Sequence, residues 1–329
     1  MKKRTKFLLL GSGITAVMMA LMESSRHVAA DYFVRLALDR DVPPYPVRME
    51  HQLMGNGISL QMLDQIRQAA EKLASTPHEI VRIQSQDGTE LLGHWFPVSG
   101  AKRIIIAMHG WRSAWDNDFG IASDFFRDHG CSVLYAEQRG QGRSGGDCMG
   151  FGLMERHDCL DWISWVNENC GASRPIYLCG LSMGASTVLM AGGLALPPNV
   201  KGIMADCGYT SAQDIWKHVA KHLHVSYGMC GKPVGRMAQR RLCMAMDSMS
   251  CPEALRQCKT PVLFIHGTDD HFVPVEMTYE NYKACAAPKR LFVVPGAEHG
   301  MSYLVDPDGY RSAVRNFWRD CEEKCPPEF

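Results

Sequence analysis

The stretch from Pro175 to Ser186 constrains the fold of this chain more than any other part of the sequence. An apolar, β-favouring run leads directly into a Gly-x-Ser-x-Gly motif at 180–184, and small residues with helical spacing continue to Ala195. This order predicts a strand, a sharp turn that carries Ser182, and a helix. The glycines on either side of the serine let the strand and the helix pack closely around a strained turn. The Ser182 hydroxyl is therefore expected at the carboxyl end of a sheet strand.

A second copy of the same five-residue pattern provides an internal comparison. It lies at 142–146, inside the glycine-rich run 139–146, and no helical pattern follows it. Such a run is typical of a flexible turn. The strand and the helix around Ser182 therefore favour Ser182 over Ser144 as the reactive serine.

Short apolar strands alternate with amphipathic helices through most of the chain. The predicted strands span 79–84, 90–97, 103–109, 132–137, 176–180, 200–207, 262–266 and 291–295. The first two flank the turn signal Asp87-Gly88 and are expected to pair antiparallel. Predicted helices cover 116–129, 153–169, 183–195, 275–286 and 308–321. The alternation predicts an α/β protein with a mostly parallel eight-stranded sheet and helices on both faces.

Composition limits the class of protein. The chain has 329 residues, of which 46% are hydrophobic and 21% charged, and its formal net charge is zero. These values are typical of a globular protein with a sizeable core and not of a disordered chain. Basic residues form no run beyond the extreme N-terminus and do not alternate with aromatic residues. We therefore expect no nucleic-acid partner.

The N-terminal segment 1–22 differs from the rest of the chain. Four basic residues among the first six precede an uncharged apolar run from Phe7 to Met22. This pattern predicts a membrane signal anchor with the main domain outside the cytoplasm; a cleaved signal peptide, with a secreted product, and a buried amphipathic helix are the alternatives. Thirteen cysteines argue against an oxidising compartment, so a cytoplasmic location stays open. The following segment, 23–77, is predicted as a helical appendage with helices at 31–39 and 59–73, and the main domain as 78–325.

Three predicted strands end in unusually polar sequences. These are His109-Gly-Trp-Arg, the run from His266 to Pro274, and the run from Pro295 to Gly300. Ligands of open parallel sheets bind outside the carboxyl ends of the strands, so these residues are expected on the same edge as Ser182. A serine becomes nucleophilic when a histidine takes its proton and a carboxylate orients that histidine. His299 is the predicted base, and spacing alone leaves Asp269 and Asp270 as nearly equal candidates for the acid.

At this point the sequence resembles a serine hydrolase of the α/β-hydrolase fold. It is most similar to the serine-aminopeptidase-like or lysophospholipase-like subgroup, and especially to membrane-anchored members from Firmicutes. The motifs that carry the resemblance, in chain order, are His109-Gly-Trp, Arg139-Gly-Gln-Gly-Arg-Ser, the Ser182 turn, His266-Gly-x-x-Asp-x-x-Val-Pro and Gly296-Ala-Glu-His-Gly. They cover roughly residues 79 to 320.

The resemblance implies a catalytic triad and an oxyanion hole. It assigns the orienting acid to Asp270, and so implies Ser182, His299 and Asp270 as catalytic residues. The backbone N–H groups of Trp111 and Met183 would form the oxyanion hole. No cofactor and no metal site are expected.

The resemblance also implies a small helical cap over the substrate pocket, around 208–258. His109, Trp115 and Tyr209 are expected to line that pocket. The expected substrate is a small-molecule or lipid ester, cleaved by a carboxylesterase-like or lipase-like enzyme through an acyl-enzyme intermediate. A serine peptidase or thioesterase with the same triad, and a non-catalytic binding protein that keeps the fold, are the alternatives.

Overall fold

A mixed eight-stranded sheet forms the centre of the computed structural model, which describes residues 25–41, 58–222 and 227–323. The strands are β1 Glu79–Gln84, β2 Glu90–Phe96, β3 Arg103–Met108, β4 Cys131–Glu137, β5 Ile176–Leu181, β6 Val200–Asp206, β7 Val262–Gly267 and β8 Lys289–Val294. Their order across the sheet is β1-β2-β4-β3-β5-β6-β7-β8. β2 pairs antiparallel with β1 and β4, and the other pairs are parallel. The predicted sheet is confirmed.

Helices cover both faces of this sheet. They are α1 25–38, α2 Leu60–Ser75, α3 Trp115–Asp128, α4 Glu155–Cys170, α5 Met183–Ala191, α6 Ala212–His222, α7 Tyr227–Leu242, α8 Cys251–Gln257, α9 Val275–Ala284, α10 Ser302–Val305 and α11 Pro307–Glu322. The buried residues of α3 and α11 form one core with one face of the sheet, and those of α1, α4, α5 and α8 form a second core with the other. The strands between them read as continuous apolar runs because both of their faces are covered.

The segment that connects β6 to β7 contains the helices α6, α7 and α8. α8 begins with a capping box at Ser250 and packs against α5, so it belongs to the layer beside the sheet. α6 and α7 are therefore the helices that remain for the predicted cap.

The segment before the main domain is helical on both sides of an undescribed stretch. α1 is longer than the predicted 31–39, and Ala30, Val34 and Leu38 on one of its faces are fully buried. α2 packs on α3, where Gly120 allows the two backbones to approach: a Cβ at that position would lie 2.7 Å from the Ala69 carbonyl carbon. The predicted membrane segment 1–22 lies outside the described residues.

Two observations bear on the cellular setting. Every cysteine side chain that the structure describes is a free thiol. No helix within the described ranges has both the length and the apolar character that a bilayer crossing requires.

Candidate active site

The turn between β5 and α5 holds Ser182 in a strained conformation. Its backbone has φ 57° and ψ −115°, a combination that non-glycine residues rarely adopt and that costs roughly 1–3 kcal/mol. The glycines make the turn possible: a Cβ on Gly180 would lie 2.2 Å from the Gly184 carbonyl oxygen, and one on Gly184 would lie 1.8 Å from the Met108 carbonyl oxygen. The Ser182 N–H donates to the Asp206 carbonyl at 2.9 Å and fixes the turn to β6.

The Ser182 hydroxyl begins a line of hydrogen bonds that runs through an imidazole to a carboxylate. Its Oγ lies 2.9 Å from His299 Nε2, and His299 Nδ1 lies 2.7 Å from Asp270 Oδ2. The carboxylate can only accept, so His299 carries its proton on Nδ1 and its Nε2 accepts from Ser182. The three residues follow β5, β7 and β8, as expected from the strand-end rule.

Asp270 is held by donors on both of its oxygens. Oδ1 accepts the backbone N–H groups of Phe272 at 3.0 Å and Val273 at 2.8 Å. Oδ2 accepts from His299 and also from His266 Nε2 at 3.0 Å. His266 is fully buried, and its Nδ1 lies 2.7 Å from the Thr278 hydroxyl. The structure thus makes His266 a support for Asp270, not a second base.

Charge and burial act on this site in opposite directions. Burial would raise the pKa of Asp270, but the neighbouring His299 and the His266 hydrogen bond hold it below its ordinary value. Burial would lower the pKa of His299, but the Asp270 carboxylate raises it well above 6.5. The pair therefore favours a charged aspartate beside a strongly basic imidazole.

Two buried residues at the end of β6 were missed by the sequence reasoning. Burial raises the pKa of Asp206 to about 6, and its Oδ1 accepts from the Ser302 hydroxyl at 3.3 Å. Cys207, with φ 50°, lies against His299, and burial raises the pKa of its thiol to about 11. The signal that could have found them is the same strand-end rule, since Asp206 is the last residue of an apolar strand and Cys207 follows it directly.

One group of three possible metal ligands occurs in the described part of the chain. Donor atoms of Cys207, Asp270 and His299 lie within 4.8 Å of one another. Asp270 and His299 are hydrogen-bonded to each other, and the other ring nitrogen of His299 faces Ser182. Their lone pairs and protons are engaged in the hydrogen-bond line, and the thiol is protonated at neutral pH because burial raises its pKa. This donor set does not have the character of a preformed metal site.

The loop after β3, which contains Trp111, approaches the serine at Gly110. A Cβ on Gly110 would lie 3.4 Å from Ser182 Cβ, and the Gly110 N–H donates to Asp118 Oδ2 at 2.6 Å. Met183 is the first residue of α5, where helix N–H groups have no intrahelical partner. No backbone hydrogen bond within residues 25–41, 58–222 and 227–323 uses the N–H of Trp111 or Met183.

Of the three expected pocket residues, His109 and Trp115 lie elsewhere. His109 is 1% exposed; its Nδ1–H donates to the Gly110 carbonyl at 2.9 Å and its Nε2 accepts the Gln138 N–H at 3.1 Å. His109 therefore lies beneath the loop after β3 and stabilises its conformation. Trp115 stacks on His94 with ring centroids 3.9 Å apart and also packs on Tyr135. As the first residue of α3 it faces the sheet beneath that helix, which is why it does not reach the strand ends.

Tyr209, the third expected pocket residue, is also buried, at 2% exposed, and belongs to a set of aromatic rings that contact one another. Its ring lies 6.1 Å from that of Phe151, which lies 6.4 Å from Trp111 and 5.4 Å from Trp216 of α6. Trp111 in turn stacks on Phe272 at 6.4 Å. We call these five residues the aromatic wall.

The second Gly-x-Ser-x-Gly copy is a structural turn. The Ser144 hydroxyl is buried, donates to the Glu137 carbonyl at 2.6 Å and accepts the Leu92 N–H at 2.8 Å. Its proton and an acceptor position are both engaged with the backbone, and no histidine of the described ranges is hydrogen-bonded to it. The two serines thus differ in their structural surroundings, as their sequence contexts indicate, and the choice of Ser182 as the reactive serine stays a prediction.

With this geometry in place, comparison with known proteins identifies the family. A model described as the alpha/beta hydrolase family matches residues 104–313, more than half of the chain. The chain belongs to the alpha/beta hydrolase family. The matched range extends from β3 through the Ser182 turn to α11 and includes all three residues of the hydrogen-bond line.

Relatives of this alpha/beta hydrolase occur in Bacillus subtilis and Mycobacterium tuberculosis. It is 28% identical over 239 residues to the uncharacterized protein YqkD of Bacillus subtilis, covering 71% of this chain and 77% of YqkD. It is 27% identical over 244 residues to the uncharacterized protein Rv2307c of Mycobacterium tuberculosis, covering 72% of this chain and 78% of that protein.

Solved structures agree on the fold. The Pyrococcus furiosus esterase Pf2001 superimposes with a TM-score of 0.63 at 22% identity, covering 75% of this chain and 92% of the esterase. The esterase EaEST of Exiguobacterium antarcticum superimposes with a TM-score of 0.55 at 16% identity, covering 73% of this chain and 99% of that esterase. The predicted α/β-hydrolase fold is confirmed.

Proposed function

We propose that this protein is a serine hydrolase that cleaves carboxylic esters through an acyl-enzyme intermediate. The observation that carries the proposal is the hydrogen-bond line from Ser182 through His299 to Asp270, which begins at a strained turn. Among the described residues, the N–H groups of Trp111 and Met183 have no backbone acceptor, which supports their assignment to the oxyanion hole. The family and the esterase neighbours support hydrolysis as the reaction class.

The proposed reaction uses the hydrogen-bond line and the N–H groups of Trp111 and Met183. Ser182 passes its proton to His299 Nε2 and attacks the ester carbonyl carbon, while the carbonyl π pair moves to oxygen and is stabilised by the N–H groups of Trp111 and Met183. The tetrahedral species collapses, the bond to the alcohol oxygen breaks, and the leaving alcohol takes the proton from His299. Water then passes a proton to His299, attacks the acyl carbon, and releases the acid as Ser182 regains its proton.

The aromatic wall supports an apolar acyl or aryl group as the preferred substrate portion. Rings of this size offer large apolar area with little rotamer freedom to lose. Several methionines of the segment between β6 and β7, including Met237, Met244 and Met249, are partly buried and pack against the same core. Their flexible side chains would adapt to substrate groups of irregular shape. On this support we include a small-molecule or lipid ester in the proposal as the substrate class.

We also propose that the protein belongs to the membrane-anchored, lysophospholipase-like subgroup. The support is the basic and apolar pattern of 1–22, followed by α1 on the main domain. Fractionation of cells that express the full chain, compared with a form that lacks residues 1–22, tests the location. Recovery of both forms in the same soluble fraction would contradict it.

The esterase proposal is tested with p-nitrophenyl esters from acetate to palmitate and with a fluorophosphonate probe. We expect turnover by the full chain, loss of turnover in Ser182→Ala, and loss of labelling in His299→Ala. Peptide mapping of the label should place it on Ser182 and not on Ser144, the matched serine of the second motif copy. A folded wild type that neither turns over any ester nor labels would contradict the proposal.

A further inference from the structure

The C-terminal end of α1 is hydrogen-bonded to the loop that carries the predicted oxyanion donor. Trp111 Nε1 donates to the Ala37 carbonyl at 2.8 Å. The Arg112 guanidinium donates to the Leu36 carbonyl from Nε at 3.1 Å and Nη2 at 2.7 Å, and Nη2 also donates to the Asp39 carbonyl at 2.7 Å. Two adjacent loop side chains thus bind three carbonyls of one helix end.

These contacts suit both partners. The last carbonyls of a helix have no intrahelical donor, and the partial negative charge of a helix C-terminus favours a nearby cation. Arg112 itself has φ 51°, in the left-handed region that non-glycine residues seldom adopt. Its hydrogen bonds to α1 offer a reason why the loop keeps this conformation, since such backbone strain persists only where surrounding contacts determine it.

α1 provides a rigid support for the loop. Three of its side chains are completely buried in the core beside the sheet. At the last residue of α1 the Leu38 carbonyl accepts the Met149 N–H at 2.8 Å, and two residues further on the Arg40 N–H donates to the Asp147 carbonyl at 2.9 Å. The loop after β3 is hydrogen-bonded to this helix end and is therefore also held to the main domain.

The same loop contacts the reacting groups on its other side. The Trp111 ring stacks on Phe272, and the Phe272 ring lies edge-on to His299 at 5.0 Å. The backbone N–H of Trp111 is one of the two that the proposed mechanism directs at the oxyanion. Movement of the loop would therefore change both the oxyanion hole and the packing of the base.

We propose that the side chains of Trp111 and Arg112 are positioning residues, which hold the oxyanion loop in its productive conformation by binding the C-terminal carbonyls of α1. The inference rests on the proposed function, because it assigns to this loop a part in the same reaction. The helix before the main domain is then a component of the active site and not a passive appendage.

Kinetics of single substitutions in the full chain test the proposal. Trp111→Phe removes one N–H donor and keeps an aromatic ring, and Arg112→Gln removes the cation and its multiple donors. We expect kcat on a p-nitrophenyl ester to fall roughly 10-fold to 100-fold with KM nearly unchanged, less than the loss of an oxyanion donor itself. Arg112→Lys, which keeps the charge and one donor, should recover part of the loss.

Arg40→Gln is the matched control. Arg40 follows the same helix and donates to the carbonyls of Gly142, Ser144 and Gly146 at 2.6–3.0 Å, but these belong to a different loop. We expect its kcat to stay close to wild type. Equal losses in Arg40→Gln and Arg112→Gln would show a general effect of loosening the N-terminal segment and would overturn the assignment.

Amide hydrogen exchange separates failure of this inference from failure of the esterase proposal. Peptides that cover 109–113 should exchange faster in Trp111→Phe and Arg112→Gln than in wild type or Arg40→Gln, whether or not the wild type hydrolyses esters. Faster exchange with no ester turnover by wild type would refute the proposed reaction and leave the loop support standing. Unchanged exchange in both variants would overturn the inference.

Discussion

Replacement of Asp270 by Asn keeps the shape of the side chain but removes its charge and one acceptor atom. In the structure each carboxylate oxygen only accepts: Oδ1 from the Phe272 and Val273 N–H groups, and Oδ2 from His299 and His266. An amide NH₂ group therefore meets donors in either orientation. Keeping the two backbone donors on the amide oxygen places NH₂ against His299 and forces its proton onto Nε2.

The size of the effect follows from this tautomer. With its proton on Nε2, His299 cannot accept the Ser182 proton, and loss of the orienting carboxylate in a Ser-His-Asp triad lowers kcat by about 10⁴-fold. That factor corresponds to about 5 kcal/mol of additional barrier. The opposed donors should also cost about 1–3 kcal/mol of folding free energy.

Steady-state hydrolysis of p-nitrophenyl esters, together with thermal unfolding, measures both effects. The matched control is Asp269→Asn, since Asp269 is the adjacent acid, is exposed, and accepts from the Thr268 hydroxyl at 2.7 Å. As a surface change it should alter kcat by no more than about twofold. A folded Asp270→Asn variant that keeps a tenth of the wild-type kcat, or an equal loss of activity in Asp269→Asn, would refute this role of the carboxylate.

Three further outcomes are expected. Because the pKa of His299 is raised above 6.5, kcat/KM should still be rising with pH above 6.5 as the base loses its proton; a plateau reached below pH 6 would contradict this. Gly184→Ala should prevent folding or abolish activity, since its Cβ would lie 1.8 Å from the Met108 carbonyl oxygen. Gly235→Ala is the control: a Cβ there meets no atom within 4 Å, and alanine favours the helix, so this variant should unfold at or above the wild-type temperature. The raised pKa of Asp206 disfavours its charged form in the fold, so the free energy of unfolding should decrease as pH rises from 3.8 to about 6; Asp206→Asn should remove that decrease in pH-dependent urea unfolding.

The sheet was predictable because its evidence is local. Each central strand is a short apolar run between turn signals, and Ser182, Asp270 and His299 each follow such a run closely. The rule that ligands gather at the carboxyl ends of parallel strands then brings distant positions to one edge. Spacing could not separate Asp269 from Asp270, and the structure does so through burial: one is exposed and the other is 6% exposed.

Contacts that depend on side-chain direction or on distant segments leave no such signal. Trp115 follows the oxyanion loop closely along the chain, which favours a place near the pocket, but the first turn of α3 directs it to His94 and Tyr135 on the sheet face. The contact between α1 and Trp111 joins residues 74 positions apart and has no pattern in the sequence. Nor does the sequence around Arg112 indicate that its guanidinium binds backbone carbonyls of α1 and not solvent or an anion.

Asp206 and Asp270 show how this fold shifts the pKa values of two buried acids at neighbouring strand ends in opposite directions. Burial acts to raise the pKa of both carboxyl groups, and their partners decide the outcome. Asp270 accepts two backbone N–H groups and faces two imidazoles, so its charged form is favoured; the Asp206 carboxylate accepts from the Ser302 hydroxyl and keeps a raised pKa. The charged form is thus favoured on the acid that contacts His299 and disfavoured on its neighbour, relative to an ordinary aspartate. Of the two acids only Asp270 is hydrogen-bonded to His299, and its carboxylate raises the pKa of that imidazole against the effect of burial.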